Sequence, residues 1–229
     1  MDGPADGLHQ MDEDRRWLAE AESSAAPLLR VRLYSWSPPA ASLGRHQRPE
    51  AALDLPFCRA EGIPIVHRPT GGRAVFHDRT ELTYAVVSNT PPLDASASIP
   101  ETYRRIAEIL RAALRGVGVE TRLERGGIGD RDRNDPTRRD PCFASASRDE
   151  LLWDQRKVVG SAQCRLRRAV LQHGSIPLEI DYARMSRILA VSETTLRHRM
   201  VSLSEAAGRP IEMLEVVRSL EHAFQSLGE

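Results

Sequence analysis

The amino-acid sequence predicts an α+β fold in which a mixed, largely antiparallel β-sheet is flanked by helices. Short segments that alternate apolar and polar residues follow one another along the chain, with polar or glycine-containing turns between them. Only a few segments carry the 3.6-residue apolar spacing of a helix, and the clearest of them is 101–116. Runs of strands with few intervening helices favour an antiparallel or mixed sheet over regularly alternating strands and helices.

In the first half of the chain, helices are expected at 8–24 and 49–61. Trp17 and Leu18 supply part of an apolar stripe in the first helix, and Pro49 opens the second, since proline is favoured in the first turn. Strands are expected where apolar and polar residues alternate, or where a short apolar run is bounded by proline or glycine. These segments are 28–36, 63–67, 74–77 and 82–87, and the segment 43–47 is expected to be a short strand that leads into a loop.

In the second half, the helix at 101–116 follows Pro100 and ends in a glycine-containing turn. Further strands are expected at 119–123, 151–153, 157–162 and 169–177, and further helices at 181–190 and 203–227. The segment 126–141 is rich in glycine, arginine and aspartate without apolar periodicity, which predicts a mobile surface loop. No linker divides the chain, so residues 1–229 are expected to form one catalytic domain.

The composition excludes several classes of protein. Lys+Arg and Asp+Glu both total 32, and this zero net charge argues against a general nucleic-acid binder. No apolar run reaches 18 residues and no apolar leader opens the chain, so neither a membrane span nor a secretory signal is expected. The three cysteines are too few for a disulfide framework, which favours a cytoplasmic protein with free thiols.

A single lysine, Lys157, stands among the 32 basic residues. A lysine ammonium is a compact charge that can approach a small reacting group, whereas an arginine guanidinium is a broad fork with a permanent charge. We therefore interpret Lys157 as a functional residue. The alternative is a lysine retained by chance on the surface.

Several familiar active-site motifs are absent from the sequence. The lysine does not follow a spaced glycine as in a P-loop, and Gly127-Ile128-Gly129 lacks the third glycine of a dinucleotide fingerprint. There is neither a His-Glu-x-x-His pair nor a Gly-x-Ser-x-Gly elbow. The cysteines lack zinc-finger spacing, so no metal and no cofactor are expected.

The first motif that can carry chemistry contains two adjacent glycines, Gly71 and Gly72, between two expected strands. Glycines let the backbone approach a ligand closely, and free N–H groups there can hold an anion or a carbonyl oxygen. The flanking arginines and histidines favour this interpretation. An ordinary Gly-Gly hairpin turn is the alternative.

Two further motifs combine a thiol with a cation. Cys142 follows the polar loop and precedes an aromatic residue, which is compatible with an exposed thiol, although free cysteines are more often buried, as expected for Cys58. Lys157 opens the segment that continues to Gln163. A nearby cation lowers the pKa of a thiol, so Cys142 and Lys157 are a candidate pair for acyl transfer.

These motifs resemble the lipoate- and octanoate-handling branch of the biotin- and lipoate-protein ligase superfamily. The resemblance extends from about Leu29 to about Leu203, and its motifs occur in one order: 35–36, 42–47, 68–77, 81–84, 157–163 and 171–175. It implies a sheet flanked by helices, related to the catalytic domains of biotin ligases and class II aminoacyl-tRNA synthetases. The triplet Pro141-Cys142-Phe143 is most similar to the cysteine-dependent octanoyltransferases of lipoate biosynthesis.

The resemblance implies that octanoyl-acyl carrier protein donates its acyl group to Cys142, with Lys157 assisting. A lysine of a lipoyl domain, or of the glycine cleavage H protein, then takes the acyl group without ATP. By the same resemblance, the substrate site comprises Arg68, Gly71, Gly72, Arg73, Ala74, Val75, Phe76, His77, Gly160, Ser161, Ala162, His173 and Gly174. A monomer is the default expectation.

Three alternatives remain open at this point. An ATP-dependent lipoate-protein ligase would instead bind phosphate with Arg68 and the glycine-rich loop, and Lys157 would bridge carboxylate and phosphate. A catalytically silent module would bind a lipoyl domain and modify nothing. Cys164 is a rival nucleophile, although regular strand alternation places it on the opposite face from Lys157.

Overall fold

The computed structural model describes residues 1–124 and 150–225. Nine strands are described in that part of the chain: β1 Leu29–Tyr34, β2 Ala40–Leu43, β3 Ile65–His67, β4 Val75–His77, β5 Glu81–Ser88, β6 Arg122–Leu123, β7 Leu151–Trp153, β8 Arg156–Arg165 and β9 Val170–Pro177. A six-stranded antiparallel sheet has the order β1-β5-β9-β8-β7-β6. In the smaller sheet, β2 lies between β3, which is parallel to it, and β4, which is antiparallel.

Helices cover both sheets: α1 Gly7–Ser23, α2 Pro49–Ala52, α3 Leu55–Ala60, α4 Ile99–Gly116, α5 Tyr182–Leu189, α6 Glu193–Arg199, α7 Leu203–Ala207 and α8 Met213–Gln225. Side-chain caps fix where the two longest begin. Asp6 accepts a hydrogen bond from the N–H of His9, and Ser98 accepts one from that of Glu101. No helix within the described ranges is both long and apolar enough to cross a membrane.

Three apolar clusters hold these elements together. One face of the six-stranded sheet packs against α4 and α8, with Tyr84 and Leu110 among its buried residues. The other face packs against α1, with Leu18 and Leu171. The smaller sheet packs against α5 and α6. The two sheets and α1 therefore meet in one region, and that region contains the cavity described below.

The predicted α+β class is confirmed, but two predicted segments are wrong in detail. Residues 49–61 form two helices, because Pro56 has no N–H to continue the first of them. The expected helix 203–227 is divided, over its described residues 203–225, into two helices that are separated by Gly208 in the left-handed region. The segment 43–47 is a strand up to Leu43 and then turns, as expected, with the N–H of Gln47 bonded to the carbonyl of Gly44.

The hairpin interpretation of the Gly-Gly segment is also wrong. The strands on its two sides, β3 and β4, do not pair with each other, because β2 lies between them. The segment is therefore a connection across β2, and its conformation is not fixed by a hairpin ladder. The expected loop at 126–141 and Cys142 lie outside the described residues.

Candidate active site

A cavity lies where the two sheets meet α1. Its lining comes from α1 (Met11), β1 and the residues after it (Tyr34, Trp36), β2 (Ser42), the segment after β3 (Arg68), β4 (Val75, His77), β5 (Thr83), β8 (Gly160, Ser161, Ala162) and β9 (His173, Gly174, Ser175). The exposed surface of these residues is almost entirely apolar.

Two of the β8 and β9 residues that line the cavity are glycines, and Gly174 is required for a steric reason. A Cβ atom at Gly174 would lie 2.5 Å from Cε1 of Tyr84 and 2.6 Å from the carbonyl oxygen of Gly160. The two strands can pair at this register only if position 174 has no side chain. The small residues Gly160 and Ala162 leave space on the cavity side of β8.

A buried hydrogen-bonded array reaches the cavity from α1. His173 Nδ1 lies 2.7 Å from Asp14 Oδ2, and His173 Nε2 lies 2.7 Å from Thr70 Oγ1. Asp14 also accepts from Arg32 at 3.0 Å and from the Tyr34 hydroxyl at 3.1 Å. Burial raises the pKa of Tyr34 well above its usual value, which keeps that hydroxyl protonated as a donor. Arg32 is the buried counterion of Asp14, and the carboxylate fixes the ring of His173.

A second array of the same kind lies at the other sheet. His77 Nδ1 lies 2.6 Å from Glu81 Oε1, and His77 Nε2 lies 2.7 Å from Ser42 Oγ. The Trp36 ring stacks on the imidazole with centroids 3.9 Å apart, and Thr83 donates a hydrogen bond to Glu81. Both histidines therefore present fixed rings to the cavity.

Arg68 holds the glycine loop, residues 71–73, from the interior of the protein. Its guanidinium is only 5% exposed and donates to the carbonyl oxygens of Ser42 at 3.1 Å, Gly71 at 2.9 Å and Arg73 at 2.7 Å. A Cβ atom at Gly44 would lie 2.0 Å from the carbonyl oxygen of Gly72. The loop is thus held between a buried cation and a backbone surface with no room for a side chain.

We expect Gly44→Ala to destabilise the protein by about 1–3 kcal/mol, because the new methyl group must displace the backbone at Gly72. Chemical denaturation would measure the change in the free energy of unfolding. Gly71→Ala is the matched control, since a Cβ there meets no atom within 4 Å. Equal stability of the Gly44 and Gly71 variants would contradict the close approach.

The structure places Lys157 in the interior. Its Nζ lies 2.5 Å from Oε1 of Glu150, and the two side chains are 2% and 3% exposed. Its carbonyl oxygen accepts a hydrogen bond from the N–H of Val201 at 3.0 Å, which fixes the backbone on the side away from β7. The interpretation of Lys157 as a chance surface residue is therefore wrong. Three residues further along β8, Gly160 begins the cavity lining.

The substrate-site residues predicted by resemblance occupy three environments. Those that line the cavity are Arg68, Val75, His77, Gly160, Ser161, Ala162, His173 and Gly174. Gly71, Gly72 and Arg73 form the clamped loop beside it. Ala74 and Phe76 are packed in the core of the smaller sheet and do not line the cavity.

Cys164 is buried in the cluster under α1, and burial raises the pKa of its thiol, with Arg45 acting weakly in the opposite direction. Cys58 is fully buried, as expected, and burial likewise raises the pKa of its thiol.

The register of β8 against β7 shifts between the pairs Leu151–Val159 and Leu152–Lys157. Face alternation thus does not separate Cys164 from Lys157, and burial is the stronger reason to consider Cys164 unreactive.

Sequence reasoning missed the parts of the site that come from α1 and from acidic residues. Met11 and Asp14 belong to a helix whose polar composition is typical of a solvent-exposed surface. Glu81 and Thr70 lie inside the motifs 81–84 and 68–77, but the sequence alone indicates no role for them. The sequence did contain one signal for these buried polar arrays. Polar residues, among them the buried Arg32, occur in strands that otherwise consist of apolar residues.

Comparison with known proteins gives a consistent assignment. A family model described as the lipoyl protein ligase A/B catalytic domain matches residues 6–225. A relative from Kyrpidia tusciae, named octanoyltransferase LipM, is 37% identical over 220 residues, which cover 92% of this chain and 79% of the relative. A second protein of that name, from Symbiobacterium thermophilum, is 40% identical over 212 residues, which cover 86% and 73%.

Two solved structures share the fold. Lipoate-protein ligase A bound with ATP has a TM-score of 0.75 and 22% identity, with 99% of this chain and 85% of that chain covered. A bi-partite lipoate protein ligase from Thermoplasma acidophilum has a TM-score of 0.75 and 20% identity, with 99% and 83% covered. The predicted fold and the resemblance drawn from the motifs are confirmed, and the chain belongs to the lipoyl protein ligase A/B catalytic domain family.

Proposed function

We propose that this protein is an octanoyltransferase of lipoate biosynthesis that carries the acyl group as a thioester on Cys142. The observation that carries the proposal is the 37–40% identity to proteins named octanoyltransferase over most of the chain. The burial of Cys58 and Cys164 supports Cys142 as the nucleophile, because desolvation disfavours the thiolate at both of those positions.

The reaction proceeds in two transfers. The Cys142 thiolate attacks the thioester carbonyl of octanoyl-acyl carrier protein, and the carrier thiolate leaves and takes up a proton. The amine of an acceptor lysine then attacks the octanoyl-cysteine. An amide bond forms, the C–S bond breaks, the proton lost by the amine passes to solvent, and the Cys142 thiolate is regenerated. The first step exchanges one thioester for another and the second is downhill, so ATP is not consumed.

The described residues supply the surroundings for these steps. The ammonium of Lys157, which is paired with Glu150 at 2.5 Å, stabilises the thiolate and polarises the acyl carbonyl. The cavity beyond Gly160 takes the apolar tail. The acceptor is a lipoyl domain or the glycine cleavage H protein, and the enzyme works as a cytoplasmic monomer.

One feature weighs against the ligase alternative. That alternative assigns phosphate binding to Arg68, but the Arg68 guanidinium is buried and donates to three backbone carbonyl oxygens. A phosphate could use those N–H groups only if the glycine loop lost its clamp. The surroundings of Arg68 therefore favour a structural role.

The test is incubation of the protein with octanoyl-acyl carrier protein without ATP, followed by intact-mass measurement. We expect one octanoyl increment on the protein, and its transfer to an added lipoyl domain. Transfer that occurs only with free octanoate and ATP would establish a ligase instead. Binding of the lipoyl domain without modification under either condition would establish a silent module.

A further inference from the structure

We propose that Met11, on helix α1, sets the length of the acyl chain that the cavity accepts. The inference rests on the proposed function, because it takes the cavity as the site of the acyl tail. Met11 is 2% exposed and belongs to the cavity lining.

The order of residues along β8 gives the direction in which an acyl chain runs. The carbonyl carbon must lie near Lys157, and the cavity lining begins at Gly160 and continues to Ala162. At about 3.3 Å per residue, the path from Lys157 to Ala162 is roughly 16 Å, which is long enough for an extended chain of medium length. The tail therefore ends near Ala162, which pairs with His173 of β9.

Helix α1 is anchored at that same end. Asp14 Oδ2 lies 2.7 Å from Nδ1 of His173, and Met11 lies three residues earlier, on the same face of the helix. The Gln10 side chain donates to the carbonyl of Ser35 at 3.0 Å, and a Cβ at Gly7 would lie 3.1 Å from the Trp36 ring. These contacts prevent α1 from moving away, so Met11 is a fixed end wall.

The other large side chains at this end have a second task. The Tyr34 hydroxyl donates to Asp14, and Trp36 Nε1 donates to Thr83 at 2.8 Å. Met11 is apolar and unbranched, so its size can change without removing a hydrogen bond of the two arrays. It is therefore a lining position at which chain length can be set independently of the polar framework.

The experiment measures kcat/KM for hexanoyl, octanoyl, decanoyl and dodecanoyl carrier protein, with wild type, Met11→Ala and the milder Met11→Val. Met11→Ala removes Cγ, Sδ and Cε and so makes room for a longer tail. We expect the decanoyl-to-octanoyl ratio of kcat/KM to rise by about tenfold or more, the discrimination that one methylene confers in an apolar pocket. Met11→Val should shift the ratio in the same direction by less.

Leu18→Ala is the matched control, because Leu18 is a buried residue of the same helix that does not line the cavity. It should lower the melting temperature and leave the chain-length ratio unchanged. If wild type transfers octanoyl but both folded Met11 variants keep the wild-type ratio, the role of Met11 is overturned and the proposed function stands. If wild type transfers no acyl chain, the proposed function fails, and the role of Met11 with it.

Discussion

Replacement of Cys142 by alanine is expected to abolish the octanoyl adduct and to lower octanoyl transfer to a lipoyl domain by about 10³-fold or more, because the nucleophile is lost. Intact mass would report the adduct, and the mass of the acceptor domain would report transfer. Both measurements are made without ATP, so that activity from free octanoate does not contribute.

Cys164→Ala is the control and should retain both the adduct and most of the rate. Cys164 lies in the core under α1, where burial raises the pKa of its thiol and keeps the thiolate scarce at neutral pH. An adduct that persists in Cys142→Ala and disappears in Cys164→Ala would move the nucleophile to β8. In a separate assay with free octanoate and ATP, a Cys142→Ala protein that modifies the acceptor at the wild-type rate would favour the ligase.

The sequence was sufficient to predict the fold class because β7, β8 and β9 of the large sheet pair in the order in which they follow one another in the chain. The hairpin of β7 and β8 and the pairing of β8 with β9 join consecutive segments with polar turns, and each strand shows its own pattern. Asp154 and Gln155 connect β7 to β8 with positive φ angles, the conformation of a two-residue hairpin turn. Errors occurred where proline or glycine divided a helical pattern, as at Pro56 and Gly208.

The candidate site was predicted only in part, because its polar arrays join residues that are distant in the chain. Asp14 and His173 are separated by 159 positions, and Thr70 and His173 by 103. No local sequence pattern indicates such a contact. Asp14 lies in a helix whose many charged residues are typical of a solvent-exposed surface. The unusual rarity of lysine drew attention to Lys157, but nothing in the sequence indicated that Glu150 would be its buried partner.

Lys157→Arg is expected to lower the rate of octanoyl transfer by about 10²–10³-fold while the protein stays folded. The ammonium occupies an enclosed position 2.5 Å from Glu150, where both side chains are almost fully buried. A guanidinium spreads its charge over a planar fork, so it cannot keep this contact and also present a compact charge to the thiolate and carbonyl. Single-turnover measurement of adduct formation and of acceptor modification would show which step slows.

Arg156→Lys is the matched control for exchanging one cation for another. Arg156 precedes Lys157 on β8, but its partner Glu205, at 2.5 Å, is 41% exposed, so the exchange should leave the rate within about threefold. Lys157→Met is less informative than Lys157→Arg. It leaves Glu150 buried without its lysine partner and should cost about 3–5 kcal/mol of stability, which mixes folding with catalysis.

Arginine keeps the charge and changes only its shape, so Lys157→Arg isolates the property that the sequence singled out. A rate within about threefold of wild type would show that any cation suffices at position 157, and that its being lysine reflects codon usage. A large loss in adduct formation, with an unchanged melting temperature, would show that the compact ammonium acts on the thiolate itself. A loss of rate confined to acceptor modification would show instead that the ammonium acts in the second transfer, in which the octanoyl-cysteine carbonyl must be polarised.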